Sequence, residues 1–152
     1  MRHGWSDAPF TALYIDLDRF KLVNDNHGHD VGDSLLAAAA QRVLSAVRSS
    51  DAVFRMGGDE FVILSRLPSG GSDAEQPSGE LAQRVVDLLS EPFIIGGQTL
   101  RIGASVGLAL RQHDEVPDHV IRRADRALLE AKRAGKSRWC SADRPDPALQ
   151  RV

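Results

Sequence analysis

Residues 53–64 read VFRMGGDEFVIL, two short apolar runs on either side of Gly57-Gly58-Asp59-Glu60. Such runs separated by paired glycines predict a β-hairpin, because a tight reversal calls for positive φ angles that only glycine adopts cheaply. Upstream, residues 11–17 (TALYIDL) are mostly apolar, as in a strand buried on both faces, and the run ends in acid at Asp16 and Asp18. From Asp33 onward Leu36, Ala40, Val43 and Val47 recur at helical spacing, which predicts an amphipathic helix between this strand and the hairpin. Downstream, residues 68–79 are rich in Pro, Gly and Ser and predict a solvent loop, after which Leu81, Val85 and Leu88 restore helical periodicity. Strands are expected at 93–95 and 100–110, broken by Gly96-Gly97. A last helix runs from Pro117 through Ile121, Ala124, Leu128 and Ala131 to a stop at Gly135. Residues 10–140 therefore read as one α/β (α+β) domain, helices packed on a mixed sheet, with residues 141–152 as a tail or linker stub.

Composition narrows the function. The chain has 152 residues, enough for one core and too few for two, with 42% apolar and 26% charged side chains, the usage of an ordinary globular domain. Its 19 basic and 21 acidic residues give a net charge of −2, which argues against a nucleic-acid polymer or an anionic membrane surface as partner but leaves a small anionic ligand open. No apolar run approaches the roughly 20 residues of a membrane span and no leader is legible, so a cytoplasmic location is expected. Cys140 is the only cysteine, so neither an internal disulfide nor a thiolate zinc site is available.

The acidic clusters carry the chemistry. If the strand ending at Asp16 lies beside the hairpin, Asp16, Asp59 and Glu60 meet at one rim, and like charges that close call for a bound cation. Oxygen-only ligands select magnesium or manganese over zinc. Magnesium usually completes its shell with substrate phosphates, so a nucleotide is implied, with Lys21 and Lys132 as candidates to balance its charge. Taken singly, each feature has a structural alternative: an acid at a strand end, a Gly-Gly-Asp turn, a solvated lysine. Two other patterns fail. Gly135-Lys136-Ser137 closes a helix rather than opening one and lacks the preceding glycine of a P-loop. Residues 25–33 lack the alternating acids of an EF-hand loop, and His27 and His29 have no third ligand, so turn and helix-entry roles are expected for them.

The segments IDLDRFKLVNDNHGHDVGD (15–33), RSSDAVFRMGGDEF (48–61), ASVG (104–107) and ADRALLEAKRAGKSR (124–138) together closely resemble the GGDEF family of diguanylate cyclases, which condense two GTP into cyclic di-GMP. The stretch 91–110 looks most like versions fused to EAL phosphodiesterase domains. The resemblance implies a nucleotidyl-cyclase, palm-like sheet with a ferredoxin-like core. It makes Asp16, Asp59 and Glu60 ligands of Mg²⁺ or Mn²⁺, with the Leu17 carbonyl as a backbone ligand, and gives Asp59, Glu60 and Lys21 catalytic roles. Gly57 and Gly58 would accommodate GTP, backbone amides near Arg19 and Phe20 and the Lys21 amine would face its phosphates, and Lys132 and Lys136 would clamp them from the last helix. Asn24 and Asp33 would read guanine, although turn and helix-cap roles are the residues' own first reading. Arg48 and Asp51 match the RxxD product-inhibition motif; without the family they would be a surface ion pair.

Since each domain would hold one GTP, turnover implies an antiparallel homodimer. A catalytically silent module that binds GTP or cyclic di-GMP is the alternative. Three features depart from the family: its N-terminal segment is expected to be missing, Leu129 replaces a tyrosine, and Lys136 replaces an arginine. A fused sensory or EAL domain is a possible partner in a longer protein.

Overall fold

The structure is a computed structural model that describes residue 5 and residues 8–67 and 75–143. Strand β1 (Phe10–Asp18) contains neither glycine nor proline and is buried along almost its whole length, as suits the central strand of a sheet. It pairs antiparallel with β3 (Glu60–Arg66) on one side and β6 (Gly103–Leu110) on the other. Beyond β3 lies antiparallel β2 (Ala52–Arg55), and beyond β6 lies parallel β7 (Trp139–Ser141), so the mixed sheet has the order β2-β3-β1-β6-β7.

The two-residue period of β1 sorts its side chains between two layers. Leu13, Ile15 and Leu17 join Phe61, Ile63, Val106 and Leu108 beneath α1 (Phe20–His27), α2 (His29–Ala46) and α3 (Glu75–Ser90). Phe10 and Ala12 face the other way, with Val62, Leu64 and Ala109, toward α4 (Pro117–Arg133). Tyr14, Asp16 and Asp18 continue that second face. One helix thus overlies the acidic end of β1, and it lies close: a Cβ at Gly107 would collide with the Ala124 carbonyl and the Leu128 amide of α4.

Several boundaries differ from the sequence reading. Helix α1 was not anticipated, because only Phe20 and Val23 of its eight residues are buried and two positions make no periodic pattern. Helix α2 starts at His29, so Asp33 lies within it rather than at its cap; His27 and His29 end one helix and open the next, on either side of Gly28. Helix α3 begins at Glu75, inside the expected loop, whose residues 68–74 lie outside the described ones. Pro77 falls in its first turn, where a missing N–H costs nothing, and Gly79 is packed against the Trp139 ring. The stretch expected as one strand from 100 to 110 divides: β5 (Gln98–Leu100) pairs with β4 (Phe93–Ile95) in a separate ribbon, and β6 starts afresh at Gly103.

The positive φ angles fall elsewhere than expected. Gly96 and Gly97 turn the β4–β5 ribbon with φ of 57° and 80°, whereas neither Gly57 nor Gly58 has a positive φ. The reversal after β2 therefore needs no left-handed residue. At the C-terminal end, Ser141 belongs to β7 and the Asp143 carboxylate accepts from the Leu110 amide at 2.8 Å, so ordered packing runs past residue 140; residues 144–152 lie outside the described ones. No helix among the described residues is long and apolar enough to cross a membrane.

Candidate active site

The antiparallel register sets Asp16 of β1 opposite Glu60 of β3, and the Leu17 amide donates to the Asp59 carbonyl at 3.1 Å. The three carboxylates expected to converge are thus carried by two neighbouring strands and the turn between β2 and β3. Burial pushes the Asp59 carboxyl above the usual carboxylate range, and the adjoining Asp16 and then Glu60 push it further. Glu60 accepts a hydrogen bond from the Tyr14 hydroxyl at 3.2 Å. Burial and the negative charge of Glu60 raise Tyr14, the only tyrosine in the chain, to about 12. The Lys132 amine, reaching down from α4, pairs with the Asp16 carboxylate. Burial alone would lower that amine, but its bond to Asp16 and the charges of Asp16, Glu60 and Asp59 outweigh burial and raise it. The lysine first considered as a phosphate counter-charge is therefore also the cation that balances the carboxylates.

Among the described residues no group of three or more carboxylates, imidazoles or thiolates is arranged to hold an ion by itself.

The turn has a feature the sequence reading missed. Arg55 donates from Nε to the Gly57 carbonyl and from Nη2 to the Gly58 carbonyl, both at 3.0 Å. Fixing two consecutive carbonyls orients their peptide planes, so the amides of Gly58 and Asp59 point away from Arg55. A Cβ at Gly58 would meet nothing within 4 Å, so the turn has open space there, whereas one at Gly57 would press on Glu60 Oε1 at 3.2 Å. Next to it, Arg19 enters α1 with φ of 68° and no side chain caps the helix. The first amides of α1, at Phe20 and Lys21, thus have no partner within the helix, the usual condition for receiving an anion. Lys21 is exposed at the same helix end.

Asn24 lies in α1 and Asp33 in α2, on two helices that pack together. The Asn24 Oδ1 is buried and accepts no hydrogen bond, an orphaned acceptor beside the α1–α2 junction. It occupies the space a Cβ at Gly32 would need. Gly32→Ala is expected to displace Asn24 at little cost in stability, because a side-chain tip yields more easily than backbone, and, if Asn24 reads guanine as the resemblance implies, to weaken guanine nucleotide binding about tenfold. Titration with a non-hydrolysable GTP analogue, with the ATP analogue as control, checks it.

Lys136 is exposed in the turn after α4, with φ of 65°. Arg48 and Asp51 lie elsewhere, between the end of α2 and the start of β2. The Asp51 carboxylate takes the Arg48 amide at 2.9 Å and the Ser65 hydroxyl at 3.0 Å, and its side chain is 2% exposed against 61% for Arg48. A groove of about 210 Å³ beside them is lined also by Arg66 and Arg84.

Comparison with known proteins identifies the family. The family described as "Diguanylate cyclase, GGDEF domain" matches residues 2–138. The bifunctional diguanylate cyclase/cyclic di-GMP phosphodiesterase MucR of Pseudomonas aeruginosa is 39% identical over 137 residues, 88% of this chain but 19% of its own length, so the chain spans about a fifth of that relative. Among solved structures, an EAL/GGDEF domain protein from M. capsulatus shares 40% identity at a TM-score of 0.76, covering 88% of this chain and 84% of that one. The active GGEEF domain of a diguanylate cyclase from Vibrio cholerae shares 31% identity at a TM-score of 0.78, covering 95% and 89%. With the family matched over nearly the whole chain and the fold shared with solved GGDEF domain structures, the chain belongs to the GGDEF family of diguanylate cyclase domains.

Proposed function

We propose that this domain condenses two GTP into cyclic di-GMP and two pyrophosphates, using Mg²⁺ or Mn²⁺. The observation that carries the proposal is the meeting of Asp16, Asp59 and Glu60 where two adjacent strands and the turn come together, with a half-buried, charge-crowded Asp59 that a divalent cation would relieve. Asp16, Asp59 and Glu60 would supply carboxylate oxygens and Leu17 a backbone carbonyl. Bound there, the metal supplies Lewis-acid activation of the α-phosphate and of the attacking 3′-hydroxyl. The protein's own residues do the rest. The open turn at Gly57 and Gly58 admits the triphosphate; the amides at the start of α1 and the amines of Lys21, Lys132 and Lys136 neutralise it. Asn24 and Asp33 hold the guanine edge, an amide offering both donor and acceptor and a carboxylate accepting from N1–H and the 2-amino group.

One domain offers one such site, so the two reacting nucleotides come from two copies facing each other. Pyrophosphate release per domain is therefore expected to rise in proportion to protein concentration at the dilute end. A rate per domain that is constant over a hundredfold dilution would remove the dimer requirement.

We also propose that the groove at Arg48 and Asp51 takes the cyclic product. A groove of this size holds an edge of such a ligand rather than enclosing it, and the exposed Arg48 guanidinium, its backbone anchored by the buried Asp51 carboxylate, suits a phosphate or a guanine edge. Arg48→Ala is expected to abolish cyclic di-GMP binding outside the active site, measured by calorimetry with GTP-site binding as the control; unchanged affinity would remove the product-site assignment.

A further inference from the structure

Asp18 closes β1 two residues after Asp16, and it is 6% exposed. The Ser105 hydroxyl lies 2.9 and 3.0 Å from its two oxygens, and the Ser137 amide donates to its Oδ2 at 3.0 Å. Every one of these donors is neutral, and among the described residues no ion pair reaches this carboxylate. A buried charge held only by neutral dipoles gives up hydration without a Coulombic partner, which is a poor way to stabilise a fold. The arrangement calls for a different explanation.

The amide that Asp18 holds belongs to an unusual turn. Gly135, Lys136 and Ser137 have φ of 124°, 65° and 51°, so two side-chain-bearing residues in succession lie in the left-handed region. Such a conformation persists only where its surroundings enforce it. On one side the end of α4 does so, with the Lys136 amide bonded to the Ala131 carbonyl at 3.0 Å. On the other side stands Asp18. Packing is tight there: a Cβ at Gly103 would lie 2.7 Å from Ser137 Oγ.

We infer that Asp18 is a positioning residue for phosphate recognition, fastening the Gly135–Ser137 turn to β1 so that Lys136 is held in register with Asp16 of the same strand. The inference rests on the proposed role of Lys136 as a phosphate ligand. It makes a prediction opposite in sign to simple electrostatics. Removing a negative charge close to a triphosphate should tighten binding by Coulomb's law alone. Releasing a pre-formed turn should weaken it.

The test is equilibrium binding of a non-hydrolysable GTP analogue, and of guanosine, at fixed Mg²⁺ to the wild-type domain, Asp18→Asn, Lys136→Ala and the double variant. Asp18→Asn is expected to bind the triphosphate about tenfold more weakly with guanosine unaffected, and to cause no further loss in the Lys136→Ala background. Unchanged or tighter triphosphate binding overturns the inference, as does an equal loss for guanosine or an equal loss with and without Lys136. Should Asp18→Asn fail to fold, Ser105→Ala keeps the carboxylate and the bond to Ser137 while removing the hydroxyl that steadies it. That variant is expected to show a loss of about threefold, again only for the triphosphate, and no loss there overturns the inference equally. Failure of the wild-type domain to bind the triphosphate at all overturns the reading of Lys136, and this inference with it, and so is told apart from a negative result in the variants.

Discussion

Asp59→Ala is expected to lower cyclic di-GMP synthesis by about a thousandfold while leaving the domain as stable as before, or slightly more so. The two halves of this result have one cause. Asp59 is pushed toward its neutral form by burial and by Asp16, so its charge is unfavourable to the folded state in the absence of a cation. Deleting the carboxylate relieves that cost. On the proposed function the same deletion removes a ligand of the metal, whose charge stabilisation in such reactions amounts to several kcal/mol, and about 4 kcal/mol is three decades in rate. Thermal melts beside product chromatography check both halves. A variant that loses activity only because its melting temperature has collapsed would speak for a structural Asp59.

The second large effect is on stability. Gly107→Ala is expected to destabilise the domain by about 3 kcal/mol, the upper end of overpacking costs, because the new methyl group meets backbone. It would press on the Ala124 carbonyl and Leu128 amide and lie 2.8 Å from the Leu128 Cα, none of which can rotate aside. Helix α4 must then lift from the sheet. For a domain of this size the shift in melting temperature is roughly 10 °C. Since Lys132 reaches Asp16 from that helix, nucleotide binding should fall together with stability. Urea titration gives the stability change directly, and a midpoint within error of the wild type would mean that β6 and α4 are not in the close contact described.

What was legible in the sequence follows a physical pattern. The hairpin and β1 could be read because their signals are local: apolar runs, a glycine pair and acids at strand ends. Placing Asp16 opposite Glu60 needed only the assumption that the strands are neighbours. Helix α1 was illegible because its burial is confined to Phe20 and Val23. Asp18 was visible as an acid but not as a fastening, since Ser105 and Ser137 lie 87 and 119 residues further along the chain. Arg55 is different. It sits two and three residues before the glycines whose carbonyls it holds, so its clamp was within reach of a local reading. The glycine pair marks the turn for a different reason from positive φ: Gly58 leaves open space and Gly57 lies against the Glu60 carboxylate, while positive φ angles belong to Gly96 and Gly97.

The central claim is that the acidic rim of β1 and the β2–β3 turn does metal-dependent chemistry on GTP. Its most direct test is to incubate the concentrated domain with GTP and Mg²⁺, resolve the nucleotides by chromatography, and repeat with Asp59→Ala. Cyclic di-GMP and pyrophosphate are expected in a one-to-two ratio, absent from the variant. GTP that is bound but recovered unchanged, even when two copies of the domain are tethered face to face, would contradict it.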